Sequence, residues 1–284
     1  MIGITKTLRS TVMFSLTFLL SILVYSEEPV SHQKACQILL SAIVDIHTGA
    51  GSGTGFLISS DGLIATAGHV VADEKHSYVS SILVRIGNHI PEPADPISMP
   101  DETKQQMLSR DFALLKVRNV SNRKFTFLTL GSNHAAQLGN DITVVGFPYG
   151  VTSPYCISGS VASHISPEIG GLVVPMIVYQ GVAVHGLSGS PIFDNASGTV
   201  IGVVTMNQVG ITPQLNRIRT ALQDNETGKN GAHITTSFGG ISFQSTMFDL
   251  INVLDQGLAN GIGYGLGTDP IVMTLQQIKT EYNK

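Results

Sequence analysis

A serine set between glycines, in His185-Gly186-Leu187-Ser188-Gly189-Ser190-Pro191-Ile192-Phe193-Asp194, stands just before an apolar run at 199–206. A serine hydroxyl is a poor nucleophile at neutral pH. It needs a base to take its proton and donors to hold the oxyanion that forms. The neighbouring glycines let the chain turn sharply enough to aim the amides of Gly186 and Ser188 at one point, which makes these two the candidate oxyanion donors. A base and an orienting acid stand upstream: His69 in Thr66-Ala67-Gly68-His69-Val70-Val71, and Asp111 in Arg110-Asp111-Phe112-Ala113-Leu114-Leu115-Lys116-Val117. A base beside such a serine would accept its proton as it attacks a carbonyl carbon, then return that proton to the leaving group. A carboxylate beside that base would fix its tautomer and stabilise the cation that forms. Asp95, Asp101 and Glu102 are rival acids, but only Asp111 directly precedes a compact apolar strand able to hold its carboxylate. His185, three residues before Ser188, reads as a wall of the cleft. No His-Glu-x-x-His or paired-cysteine motif is present, so the chemistry calls for no metal and no cofactor.

The three motifs resemble those of chymotrypsin-fold serine proteases. Gly-Leu-Ser-Gly-Ser-Pro before an apolar strand is most similar to the bacterial trypsin-like branch that includes HtrA and glutamyl-endopeptidase proteins. The order His, Asp, Ser is that of this fold and not the Ser, Asp, His order of α/β-hydrolases, whose Gly-x-Ser-x-Gly would need glycine where Ser190 stands. The resemblance implies an all-β protein of two six-stranded antiparallel β-barrels with a C-terminal helix. It also implies a His69, Asp111, Ser188 triad and a substrate pocket built by Val182, Thr205, Met206 and Asn207, with Gly240 opposite. No acid falls at the pocket floor, so cleavage is expected after small or aliphatic residues. Glutamyl specificity is not expected, because Val203 and Val204 stand where a histidine would. Leu187 departs from the pattern, replacing a polar residue, so no ion pair to a freed amino terminus forms there. Whether the oxyanion loop is preformed or set by substrate stays open. The alternative function is a catalytically weak or silent binding module on the same fold, and a chaperone-like or adhesion role stands beside it. No PDZ domain is expected after Leu258.

Composition fits this picture. A 43% hydrophobic, 13% charged chain of 284 residues with thirty glycines suits strands and turns around one two-lobed core. The net charge is −4 with no basic cluster, which argues against nucleic acid and anionic membranes and leaves peptide or protein as the partner. Residues 1–26 begin basic, at Lys6 and Arg9, and continue through an uncharged, mostly apolar run to Val24-Tyr25-Ser26. This pattern reads as a secretory signal and implies a secreted or periplasmic protein, with a retained anchor as the other reading. Export permits a disulfide, but Cys36 and Cys156 alone give no framework, and their pairing stays open. Asn119, Asn195 and Asn225 each open a glycosylation triplet.

Strands are expected at 37–47, 53–60 and 62–67, the last two joined by Ser60-Asp61-Gly62, a turn that asks for positive φ. Others follow at 79–87, 112–117 and 125–131, the last closing a first barrel at about 37–131, with 91–96 as a proline-rich surface loop. After a linker at 132–140, strands at 141–147, 156–165, 172–184, 199–206 and 233–243 make a second barrel at about 141–246. A helix begins at Thr212-Pro213. Met247, Leu250, Ile251, Leu254 and Leu258 share one face of a closing helix at 245–258, so the protease domain runs 27–265. Residues 261–267 read as a flexible link, and 266–284 as a tail with a short helix carrying Ile271, Leu275 and Ile278.

Overall fold

The computed structural model describes residues 28–49, 51–73, 77–97, 111–118, 120, 123–169, 171–207 and 261–282, with 220, 237–238, 241–242, 246–247 and 250 in addition. The signal-like segment 1–26 and Gly240 lie outside the described residues, and of the helix expected from Thr212 only Thr220 is described, as helical. Of the helix expected at 245–258, only Thr246, Met247 and Leu250 are described, all helical.

Among the described residues the first element is a helix, α1 (His32–Leu40), capped by Ser31, whose hydroxyl accepts the Lys34 amide at 3.3 Å. Ala35 and Leu39 lie one turn apart and are fully buried. The strand expected from residue 37 therefore begins later. The apolar density at 37–47 spans a helix end and a strand start, separated by Ser41, whose amide and hydroxyl both return to Ile38.

Strands β1 (Ile43–Thr48), β2 (Gly51–Leu57), β3 (Leu63–Thr66), β4 (Ile82–Ile86), β5 (Glu92–Pro96) and β6 (Ala113–Val117) close a barrel in the order β1-β2-β3-β6-β5-β4. Strand β5 is the proline-rich segment expected to be a loop. Pro93 and Pro96 lack a donor, but Pro93 still accepts the Arg118 amide at 3.0 Å, and pairing to β4 is only two residues long. The segment at 125–131, expected to close this barrel, instead runs extended along it. Phe125 and Leu128 donate to Ser60 and Leu57, and Leu130 then bridges to Val200 of the second lobe.

The second barrel comprises β7 (Asp141–Gly146), β8 (Tyr155–Ile165), β11 (Met176–Gln180), β12 (Pro191–Asp194), β13 (Thr199–Asn207) and β16 (Ile262–Gly267), closed in the order β11-β16-β13-β12-β7-β8. Short strands β9 (Glu168–Ile169) and β10 (Leu172–Val173) make a hairpin between β8 and β11, and β14 (Ser237–Phe238) pairs with β15 (Ile241–Ser242). Two six-stranded antiparallel barrels are thus the architecture. The expected boundary shifts, because the glycine-rich stretch read as a flexible link is β16, a full barrel strand. Its glycines face bulk: a Cβ on Gly265 would meet the Ile192 side chain at 2.2 Å, and one on Gly263 would meet the Tyr179 ring at 2.2 Å. The helix that follows the last barrel strand is α2 (Asp269–Tyr282), within the segment expected as a tail.

Cys36 of α1 and Cys156 of β8 form a disulfide, tying the N-terminal helix to the second barrel and answering the question the sequence left open. Asn195, one of the glycosylation triplets, is only 5% exposed and occupied within the fold, so it is not a surface acceptor.

Candidate active site

The barrel register places the first two candidate residues. Thr66 of β3 pairs with Ala113 of β6 in an antiparallel ladder, so the chain leaving β3 runs beside the chain entering β6. That chain forms a single 3-10 turn, Gly68–Val70, and lifts His69 over Asp111. Asp111 Oδ1 and Oδ2 lie 3.0 and 2.9 Å from His69 Nδ1, and the His69 amide donates to Oδ1 at 2.9 Å. Asp111 adopts a left-handed φ of 41°, uncommon for a residue with a Cβ but tolerated by aspartate, and this aims its carboxylate back at the turn. Burial acts to lower the His69 pKa, but the hydrogen bond from Asp111 and its charge outweigh that, leaving it above the ordinary 6.5. The His69 side chain remains half-exposed.

Backbone contacts fix the serine loop to both barrels. The Ser188 carbonyl accepts the Thr54 amide of β2 at 2.8 Å, and the Gly189 amide donates to Val204 at 2.7 Å. Gly189 has φ +86°, and a Cβ there would fall 1.9 Å from the Thr54 carbonyl and 3.0 Å from the Ala67 amide, two residues before His69. The serine loop and the histidine turn therefore meet at the seam between the barrels. Among the described residues Ser188 Oγ carries no hydrogen bond, so contact with His69 is not closed in this structure. Hydrogen bonds of this kind are often long in unliganded enzymes and tighten when substrate binds.

The two candidate oxyanion donors are oriented by their neighbours. The His185 carbonyl accepts the Tyr149 amide at 2.7 Å, and in a trans peptide the next amide, that of Gly186, points the opposite way. The Gly186 carbonyl accepts the Thr54 hydroxyl at 2.7 Å. Among the described residues neither the Gly186 nor the Ser188 amide has a backbone acceptor. Gly186 sits at φ +91° with Phe147 and Tyr149 backbone against it, a place where only glycine fits. Leu187, the departure noted in the sequence, is fully buried in the second-barrel core with Ile142, Ile177 and Ile192. It anchors the loop by burial where an ion pair would otherwise do so.

Thr54 was not singled out from sequence. It is fully buried at the seam: its hydroxyl donates to Gly186, accepts the Phe147 amide at 3.0 Å, and its carbonyl accepts the Thr66 hydroxyl at 2.7 Å. A small β-branched hydroxyl in a glycine-rich strand gave no local sign of this role. Tyr149 acts through its backbone amide, which no side-chain pattern encodes.

Of the expected pocket residues, Val182 lies exposed on the loop after β11, while Thr205, Met206 and Asn207 end β13. The β13–β16 register skips at Thr205, between Val204 opposite Gly265 and Met206 opposite Tyr264. Such a bulge re-aims the chain. Thr205 Oγ1 is buried with no partner among the described residues. Asn207 pairs with Gly263, over which the buried Tyr179 ring packs.

The double barrel, with an imidazole–carboxylate pair on one lobe facing a glycine-flanked serine loop on the other, defines the chymotrypsin-like class of folds. A model of the trypsin-like peptidase domain matches residues 53–203, more than half of the chain, and the chain belongs to that family. Curated relatives include the probable periplasmic serine endoprotease DegP-like of Brucella suis biovar 1 (strain 1330), 30% identical over 154 residues, covering 54% of this chain and 27% of that protein. The protein of the same description from Pseudomonas putida (strain GB-1) is 28% identical over 152 residues, covering 53% and 28%. The chain thus spans little more than a quarter of the length of these relatives. Among solved structures, the HtrA-type protease AlgW with tripeptide is similar in fold, with a TM-score of 0.56 at 19% identity over 87% of this chain and 63% of that one. Rv3671c from M. tuberculosis H37Rv, in an inactive mutant form, gives 0.54 at 18% identity over 87% and 90%.

Proposed function

We propose that the protein is a serine endopeptidase that hydrolyses peptide bonds through an acyl-enzyme at Ser188. His69 serves as general base and then general acid, Asp111 orients and stabilises it, and the amides of Gly186 and Ser188 hold the tetrahedral oxyanion. The observation that carries this reading is the double contact of Asp111 with His69 Nδ1, which leaves Nε2 facing away from the carboxylate, beside a serine loop two of whose amides have no acceptor among the described residues. The peptide-bound state of the AlgW relative supports a peptide as substrate. Preference for small or aliphatic first-site residues is supported by the uncharged strand end at Thr205-Met206-Asn207 and by the Tyr179 ring filling the space over Gly263. Export to the periplasm or beyond is supported by the basic-then-apolar N-terminus and by the periplasmic description of the DegP-like relatives.

The competing reading, a silent binding module, draws on the lone Ser188 hydroxyl. Labelling with a fluorophosphonate separates the two. Wild-type protein takes one label and Ser188→Ala takes none if the serine is activated, whereas equal silence in both assigns the fold to binding. A peptide library cut only after Lys or Arg would overturn the proposed specificity.

A further inference from the structure

A second group of chemistry-bearing side chains sits where α1 meets β8. His32 and Cys36 are four residues apart on α1 and so share one of its faces, and Cys156 reaches them from β8. His32 Nε2 lies 3.6 Å from Cys36 Sγ and 3.9 Å from Cys156 Sγ. All three residues are partly buried.

The ring is oriented from behind. The Thr143 hydroxyl donates to Asn195 Oδ1 at 3.0 Å, so toward His32 Nδ1, also at 3.0 Å, it can only accept. Nδ1 therefore carries the proton, and the lone pair of Nε2 points at the sulfurs. Metal-ligating imidazoles likewise donate from the far nitrogen to an oxygen acceptor that fixes tautomer and orientation, and the Thr143 hydroxyl fills that role here. The spacing agrees. With Zn–S near 2.3 Å and Zn–N near 2.0–2.1 Å, a tetrahedral site sets nitrogen and sulfur about 3.6 Å apart and two sulfurs about 3.8 Å apart. Both nitrogen–sulfur distances already lie within a few tenths of an ångström of that value. Only the sulfur–sulfur bond stands in the way.

We propose that reduction of the Cys36–Cys156 disulfide converts this corner into a zinc site, with His32 Nε2 and the two thiolates as ligands and a fourth position left for water. A dithiol reductant supplies two electrons and two protons, giving two thiols and its own disulfide. Zn²⁺ then displaces both thiol protons to solvent as two Zn–S bonds form, and Nε2 contributes its lone pair. Two thiolates and an imidazole favour zinc over hard cations such as calcium or magnesium. The site is independent of Ser188 chemistry and stands whether or not the protein is a peptidase.

The test uses the full mature chain, reduced with a phosphine that does not itself compete as a thiol, and titrated with Co²⁺ and then Zn²⁺. The chain has only two cysteines, so any thiolate-to-cobalt charge-transfer band reports Cys36 and Cys156 alone. Expected are one metal per reduced chain, none per oxidised chain, and a tetrahedral cobalt spectrum that Zn²⁺ abolishes. His32→Ala leaves the disulfide available to hold the fold during purification, and after reduction it loses the stoichiometric site. Thr143→Val weakens binding by about 10- to 100-fold through the lost ring support. Reduced wild type without stoichiometric zinc, or reduced His32→Ala binding as tightly as wild type, would overturn the proposal.

Discussion

Replacing Thr54 with valine keeps the volume of a fully buried side chain and removes one oxygen. That oxygen is the partner of both the Gly186 carbonyl and the Phe147 amide, neither of which has another partner among the described residues. Each buried group left unpaired costs about 1–3 kcal/mol, so Thr54→Val should lose roughly 2–6 kcal/mol of stability. The chemical cost is separable. The peptide planes flanking Gly186 are held from two sides, by Tyr149 at the His185 carbonyl and by Thr54 at the Gly186 carbonyl. Freeing one side lets the oxyanion amide wander. Losing a donor outright slows comparable enzymes by about 10²- to 10³-fold, so a loosened donor should slow fluorophosphonate labelling by roughly 10- to 100-fold. The assay pairs urea unfolding with labelling rates measured well below the unfolding transition, and Thr54→Ser, which keeps the oxygen, should recover most of the rate. A Thr54→Val protein that is less stable yet labels as fast as wild type would refute the positioning role. Unchanged stability would refute the hydrogen bonds themselves.

Other consequences follow from the same contacts. In the proposed mechanism His69 must act as the free base, and its pKa lies above the ordinary 6.5, so the labelling rate should rise with pH through a midpoint above 6.5. Asp111→Asn removes the hydrogen bond and charge that raise the pKa while burial still lowers it. The midpoint should move down as the rate falls by about 10⁴-fold, and an unmoved midpoint would sink the assignment. In stability the sign is opposite: the His69–Asp111 attraction is fully present below pH 6.5 and lost as pH rises through the higher folded value, a small term for so exposed a ring. Leu187→Ala should cost about 2–5 kcal/mol in urea unfolding, as for other large-to-small core changes. A loss below 1 kcal/mol would mean that the loop is anchored elsewhere. Cutting the Cys36–Cys156 tie, 120 residues apart in sequence, by Cys36→Ser should lower stability by about 2–5 kcal/mol, read as a shift in the urea midpoint that reductant reproduces in wild type.

Much of the arrangement was legible because its signals are local. The Asp61-Gly62 turn, the alternation of apolar strands and the glycines around Ser188 each state a backbone requirement in the residues themselves. The misreadings share a cause, which is that the deciding contact is distant. Pro93 and Pro96 argue against a strand, yet β5 holds its place through carbonyls that accept from β6 and beyond. Gly261 to Gly267 looks like a flexible link until Tyr179 and Ile192 are seen occupying the space their missing side chains leave. The helix at His32–Leu40 was hidden because its last turn and the following strand merge into one apolar run. Thr54 acts across the seam, on Phe147 93 residues away and on Gly186 132 residues away, and the Tyr149 contact runs through the backbone alone, so a single sequence carries no mark of either pairing.

The most direct measurement of the central claim is a crystal structure of the protein after phosphonylation. The expected result is phosphorus bonded to Ser188 Oγ, one phosphoryl oxygen about 2.7–3.1 Å from the amides of Gly186 and Ser188, and His69 Nε2 within about 3.2 Å of the adduct. A protein that takes no adduct at Ser188, or one in which His69 stays with Asp111 out of reach of the phosphonate, would contradict it.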